Sequence, residues 1–227
     1  MLCKRVIKIY CTYMSMKKGV YTEVETEKFL KKFVPIAKHK LCSSDKQVFE
    51  CARGVGFPLV LKIISKEASH KTDIGGVRFV NKRGDLENEL AGLMKIVKTH
   101  KMKIDGILVQ EFIEGEFVLI GLKKDNVFGH AVVLGIGGIY TEYLKDVSFR
   151  VCPVSKKDVQ EMIDELRMKD LLLGVRGKKG VNLDLLKDIV VKVSKIPLKH
   201  KEIKEMDINP FVINHKNGKV VDARMVI

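Results

Sequence analysis

The run Leu59-Val-Leu-Lys-Ile-Ile64 constrains this chain more than any other stretch. Its aliphatic residues predict a buried strand, yet Lys62 stands in the middle. An ammonium in an apolar strand is costly unless an anion meets it. A polar loop follows, Ser65–Asp73, and it holds His70. The loop closes on Gly75-Gly76, where missing side chains let backbone N–H groups approach a phosphate. A histidine between those two features is well placed to handle a phosphoryl group. The same residues also fit a plain hairpin with an exposed histidine and a snorkelling edge-strand lysine.

Around this segment the pattern alternates between helix and strand signals. Thr22-Glu-Val-Glu25 reads as a capping box opening a helix, with Val24, Phe29, Leu30 and Phe33 inward and Pro35 as its end. Ser43-Ser-Asp45 caps a second helix that Gly54 and Gly56 stop. From Glu116 strands dominate: 117–123, 126–134 and 147–151, the first two joined at Asp125-Asn126. Ser155-Lys-Lys-Asp158 opens a helix with Val159, Met162, Ile163 and Leu166 inward, and 183–196 is another. The chain closes on a hairpin, Glu205–Ile213 and Lys219–Met225, turning at Asn217-Gly218. The expectation is an α+β (α/β) protein of two lobes, residues 21–108 and 109–227, behind an N-terminal extension of residues 1–20.

A formal net charge of +14 raises the question of a polyanion partner, and a basic RNA-binding protein is one rival reading. The basic residues are lysines far more than arginines and are spread along the chain. That argues against base recognition and for a lysine-rich surface with sites for phosphorylated ligands. Five cysteines, odd in number and without CxxC spacing, argue against a disulfide framework or a zinc site and fit a reducing cytoplasm. The apolar run 9–16 is too short to span a membrane, and glycines break the run 131–140.

Residues 56–77 resemble the nucleotide-binding β subunit of the ADP-forming acyl-CoA synthetases, ATP-grasp proteins related to succinyl-CoA synthetase. Three further segments match in order: Val109-Gln-Glu-Phe-Ile113; Phe128-Gly129 through Gly135-Ile-Gly-Gly138 to Arg150; and Glu205-Met-Asp-Ile-Asn-Pro210 with Val220-Val-Asp-Ala-Arg224. The resemblance implies an ATP-grasp fold with nucleotide bound between two lobes. It makes Lys62 a phosphate contact, with the Gly75-Gly76 loop beside it. His70 becomes the phosphate carrier on a swinging loop, and Asp207 the acidic residue that supports this chemistry. Gln110, Glu111, Phe112 and Ile113 form the linker that reads adenine, and the family pattern turns Arg150 towards phosphate. Asn209 and Asp222 become ligands of Mg²⁺ bridging ATP or ADP, a hard-oxygen set suited to that ion. The family's acidic residue opening the next strand falls on Phe117 here. Glu116 stands one place earlier, so a bulge must turn it if it is to hold ribose. The resemblance also implies a CoA-binding α subunit as partner, commonly in an α2β2 complex. A rival within the fold is a carboxylate–amine ligase using an acylphosphate, for which His70 is dispensable.

Overall fold

The computed structural model describes residues 18–65, 74–138, 146–175, 177 and 179–227. The loop bearing His70 lies outside the described residues. All strand pairs are antiparallel, in two sheets.

The smaller sheet runs β2 (His39–Cys42), β5 (Gly106–Glu111), β3 (Leu59–Ile64), β4 (Val77–Val80). Helices α2 (Asp45–Val55) and α3 (Leu86–Thr99) cover one face. Leu59, Leu61, Ile63, Ile107 and Val109 point into that core with Val48, Leu90 and Leu93. The alternate residues Val60, Lys62, Leu108 and Gln110 are in register with one another and point the other way. They too are buried, so every residue of β3 is out of solvent. Something must therefore cover the second face.

That cover comes from α1 (Glu23–Leu30) and from the end of the chain. The capping box is formed as the sequence indicates: Thr22 N–H donates to Glu25 Oε2 at 2.8 Å, and Glu25 N–H to Thr22 Oγ1 at 3.4 Å. The buried stripe is different from the expected one. It consists of Glu23, Thr26, Glu27 and Leu30. Phe29 and Phe33 are half-buried against the larger core, their tilted rings 5.3 Å apart at the centroids and both edge-on to His200. Charged partners on the smaller sheet, Lys62 on β3 and His39 on β2, hold Glu23 and Glu27 inward, which apolar periodicity alone does not register.

The larger sheet is ordered β1 (Val20–Tyr21), β11 (Ala223–Val226), β9 (Glu205–Ile213), β6 (Glu116–Asp125), β7 (Gly129–Ile136), β8 (Val147–Val151), with β10 (Gly218–Val220) also paired to β9. Helices α4 (Lys156–Glu165) and α6 (Leu183–Ser194), with the single turn α5 (Asp170–Leu173) between them, accompany it. Val118, Ile120, Leu134, Met206, Ile208 and Phe211 meet Val159, Met162, Ile189 and Val193 in this second core. The sheets do not part at residue 108. β5 continues to Glu111, while β1 pairs with β11 and Leu30 and Val34 join the larger core. The edge of β11 needs a backbone partner, and residues 20–21 supply it.

The closing hairpin turns through Asn214–Asn217, where Asn214 Oδ1 accepts from the N–H groups of Lys216 and Asn217. Its return strand breaks at Val221–Asp222, between β10 and β11. Opposite the break, pairing of β6 with β9 slips from Val118↔Phe211 to Ile120↔Ile208. The extra residue is on β9, at Asn209-Pro210, and it keeps Met206, Ile208, Phe211 and Ile213 all facing the core. Among the described residues no helix is long and apolar enough to cross a membrane.

Phe211 is fully buried, and its ring lies against the backbone of Gly218, where an added Cβ would come within 2.7 Å. Phe211→Ala is expected to lower the unfolding free energy by about 3–5 kcal/mol, read from urea melts.

Candidate functional site

Lys62 Nζ donates to Glu23 Oε1 at 2.8 Å and to the carbonyl of Val221. The two side chains are 7% and 3% exposed, so the ion pair is desolvated. Such a pair is strongly coupled: removing one partner strands the other's charge. One turn along α1, Glu27 is fully buried, and His39 Nδ1 lies 2.9 Å from its Oε2. The same nitrogen is 3.0 Å from the carbonyl of Ala37, so it cannot serve both squarely. Neither Glu27 oxygen has an aligned hydrogen bond among the described residues. Burial pushes the Glu27 carboxyl up from its ordinary range, and the nearness of Glu27 pushes His39 up.

The broken hairpin lies on the other side of Lys62. Asp207 is in register with Gly121 on one flank and Arg224 on the other. Burial first, then the charges of Asp222 and Glu205, push its carboxyl up to about 6 against the pull of Arg224. Asn209 N–H donates to the carbonyl of Asp222 at 3.1 Å, and Asn209 Oδ1 accepts from Gly138 N–H at 3.2 Å. Two carboxylates near enough to perturb each other, with an amide oxygen beside them, form a hard-oxygen donor set whose mutual repulsion a divalent cation relieves. The expected Mg²⁺ ligands thus fit that ion by their chemistry.

From the smaller sheet, Gln110 is 1% exposed and its Nε2 has no partner among the described residues. Glu111 Oε1 accepts from Lys38 N–H and from Lys219 Nζ, both at 2.6 Å. Phe112 is exposed and meets Phe79 edge-on at 6.0 Å, with Ile113 half-buried next to it. Gly75 adopts φ +72°, a left-handed turn suited to glycine, and the Gly76 carbonyl accepts from Ile63 N–H at 2.9 Å.

The fold therefore brings Lys62 to the Val221 carbonyl, one residue before Asp222, with Asn209 and Asp207 on the neighbouring strand β9. Two expectations fail. Arg150 is in register with Val132, on the helix-covered face of the larger sheet, where it pairs with Glu165 at 2.5 Å. Asp207 and Gly121 occupy the opposite face, so Arg150 turns away from the cleft. Glu116 lies two residues before Val118 and shares its face, while Phe117 packs on Gly138. The register slip falls beyond Val118 and on β9, so no bulge turns Glu116 round. Glu23, Glu27 and His39 are the cleft residues that sequence reasoning overlooked. Their one signal was two glutamates at i and i+4 sharing a stripe with Leu30. A separate hollow of about 430 Å³ between α2 and α3, lined by Phe49, Leu90 and Met94, shares no residue with this cluster.

The sequence profile of the ATP-grasp domain matches residues 12–227. The chain belongs to the ATP-grasp family. Over 211 residues it is 38% identical to the acetate–CoA ligase [ADP-forming] I subunit beta of Pyrococcus furiosus, covering 90% of each. It is 36% identical over 197 residues to the acetate–CoA ligase [ADP-forming] I of Archaeoglobus fulgidus, spanning 86% of this chain but 29% of that protein. Acetyl-coenzyme A synthetase 1 of Ca. Korarchaeum cryptofilum superposes with TM-score 0.87 at 35% identity over 99% of both chains, in a complex with coenzyme A and Ca-AMPCP. The same protein with Mg-AMPPCP, its phosphohistidine segment pointing towards the nucleotide site, gives 0.79 at 33% identity over 98% and 99%. The ATP-grasp fold expected from the sequence is the observed one, and the chain corresponds to the ATP-grasp part of ADP-forming ligases.

The charged cluster gives this ATP-grasp chain a pH signature. His39 titrates above its ordinary 6.5, so its contribution to stability is complete below that pH and lost as pH rises through the folded value. Raised Glu27 acts in the same direction from 4.5 upward. Glu27→Gln is expected to lower the NMR titration midpoint of His39, since the remaining burial favours the neutral ring. It should also flatten the decline in urea midpoint as pH rises above 6.5.

Proposed function

We propose that this chain is the nucleotide-binding β subunit of an ADP-forming acyl-CoA synthetase of the acetate–CoA ligase type. It moves a phosphoryl group between ATP and the imidazole of His70. The observation that carries the reading is the buried ammonium of Lys62, in contact with the peptide that leads into Asp222. A lysine charge kept dry in a cleft suits phosphate, for which it acts as a point charge. Mg²⁺ held by Asn209 and Asp222 would supply neutralisation of the nucleotide's phosphate oxygens.

In the reading offered here, Lys62 and the turn at Gly75-Gly76 bind the polyphosphate, and residues 110–113 line the base. The ring nitrogen of His70 donates its lone pair to the terminal phosphorus, the bond to the bridging oxygen breaks, and ADP leaves with those electrons. The other ring nitrogen carries a proton that Asp207 orients or accepts, a role its raised value favours near neutral pH. The phosphorylated loop then delivers its group to a CoA-binding α subunit. There the reversible reaction acyl-CoA + ADP + phosphate ⇌ carboxylate + CoA + ATP is completed.

His70→Asn should retain ATP affinity within about threefold and lose acid-labile, base-stable labelling from ATP. Undiminished labelling would overturn the carrier assignment. Asp222→Ala should weaken Mg·ATP binding at least tenfold by calorimetry, about 1.4 kcal/mol, with its melting point little changed. Acyl-CoA synthesis from carboxylate, ATP and CoA should require addition of the α subunit.

A further inference from the structure

Cys42 and Cys51 take no part in the cleft, yet the fold brings them together. Cys42 ends β2 and Cys51 lies on the inward face of α2, 1% and 7% exposed. Their sulfurs are 3.1 Å apart. A disulfide needs about 2.05 Å, so the pair stands roughly 1 Å from bonding distance with both side chains already turned towards each other. Among the described residues the remaining cysteine, Cys152, packs against the other core.

We propose that Cys42 and Cys51 form a reversible intrachain disulfide that ties β2 to α2. This assignment is independent of the nucleotide chemistry. The oxidant is a small disulfide of the glutathione class. Cys51, the more exposed thiol, attacks as its thiolate, breaking the small S–S bond and releasing one thiol. The Cys42 thiolate then attacks the Cys51 sulfur, and the second thiol leaves. Two protons are lost from the protein, and its two electrons reduce the oxidant to two thiols. Burial pushes the Cys42 thiol up to about 12, which makes this second step slow in the folded protein and favours closure while the chain is folding. Once closed, the bond is shielded from reductant by the same burial.

β2 is the outer strand of the smaller sheet, and its other end carries His39 into the charged cluster. The bridge would tie to α2 an edge strand whose backbone is paired on one side only, with β5. Because it closes a short loop, oxidation should raise the melting point by roughly 5–10 °C.

The test is to refold the full-length chain through a glutathione redox buffer, block remaining thiols, and digest with trypsin. Cleavage after Lys40, Lys46 and Arg53 separates Leu41–Lys46 from Gln47–Arg53, so the bridge appears as two joined peptides that part on reduction. The joined pair is expected to dominate over every other cysteine pairing and to be absent from Cys51→Ser. Recovery of both peptides with blocked thiols or glutathione adducts would overturn the proposal, as would indiscriminate pairing. If the variant fails to fold, the wild-type digest decides alone.

Discussion

The desolvated pair between Lys62 and Glu23 is the interaction on which the rest of this structure depends. β3 is central in its sheet and buried on both faces, so a charge in it requires a counter-charge from elsewhere. That counter-charge comes from the first turn of α1, thirty-nine residues earlier. For Glu23 to arrive there, the helix must begin at the capped Thr22, and the segment before it must attach to β11. The Lys62 bond to the Val221 carbonyl then draws in the break in the last hairpin. One cation thus fixes the placement of the first helix and of the strand break that carries Asp222.

Much of this was legible where the deciding forces are local. The capping boxes at Thr22–Glu25 and Ser155–Asp158 are both formed, because each is closed by residues three apart. The inward stripe Val159, Met162, Ile163 and Leu166 is buried as its periodicity indicates. The strand around Lys62 and the clustering of Asp207, Asn209 and Asp222 were likewise readable, from an unbroken aliphatic run and from a hairpin's return. What was not legible was decided at a distance. The glutamates of α1 face inward because Lys62 and His39 lie across from them, a cause that helical periodicity in apolar residues does not carry. Arg150 was misplaced because the face a strand residue occupies depends on which partner strand it meets, here Val132 in a helix-covered core.

The inserted residue at Asn209-Pro210 shows how little separates a core strand from a polar site. Without it, the alternation that buries Met206 and Ile208 would carry Asn209 and Phe211 onto one face, and Phe211 would leave the core. With it, Phe211 and Ile213 rejoin the core, and Asp207 and Asn209 remain beside the break at Val221–Asp222. A slip in register thus reconciles a packed layer with a pair of oxygen donors on a single strand.

The links between the two sheets also have a mechanical side. Lys62 reaches Glu23 and Val221, while Glu111 accepts from Lys219; each joins the smaller sheet to chain that packs on the larger one. Of these, the Lys219–Glu111 pair is partly open to solvent and the Lys62–Glu23 pair is dry. Ions screen the first kind of tie and scarcely touch the second. Separation of the sheets would thus proceed as an ionic zipper with a wet end and a dry end. Added salt would loosen the rim at Lys219 and leave Lys62 as the pivot.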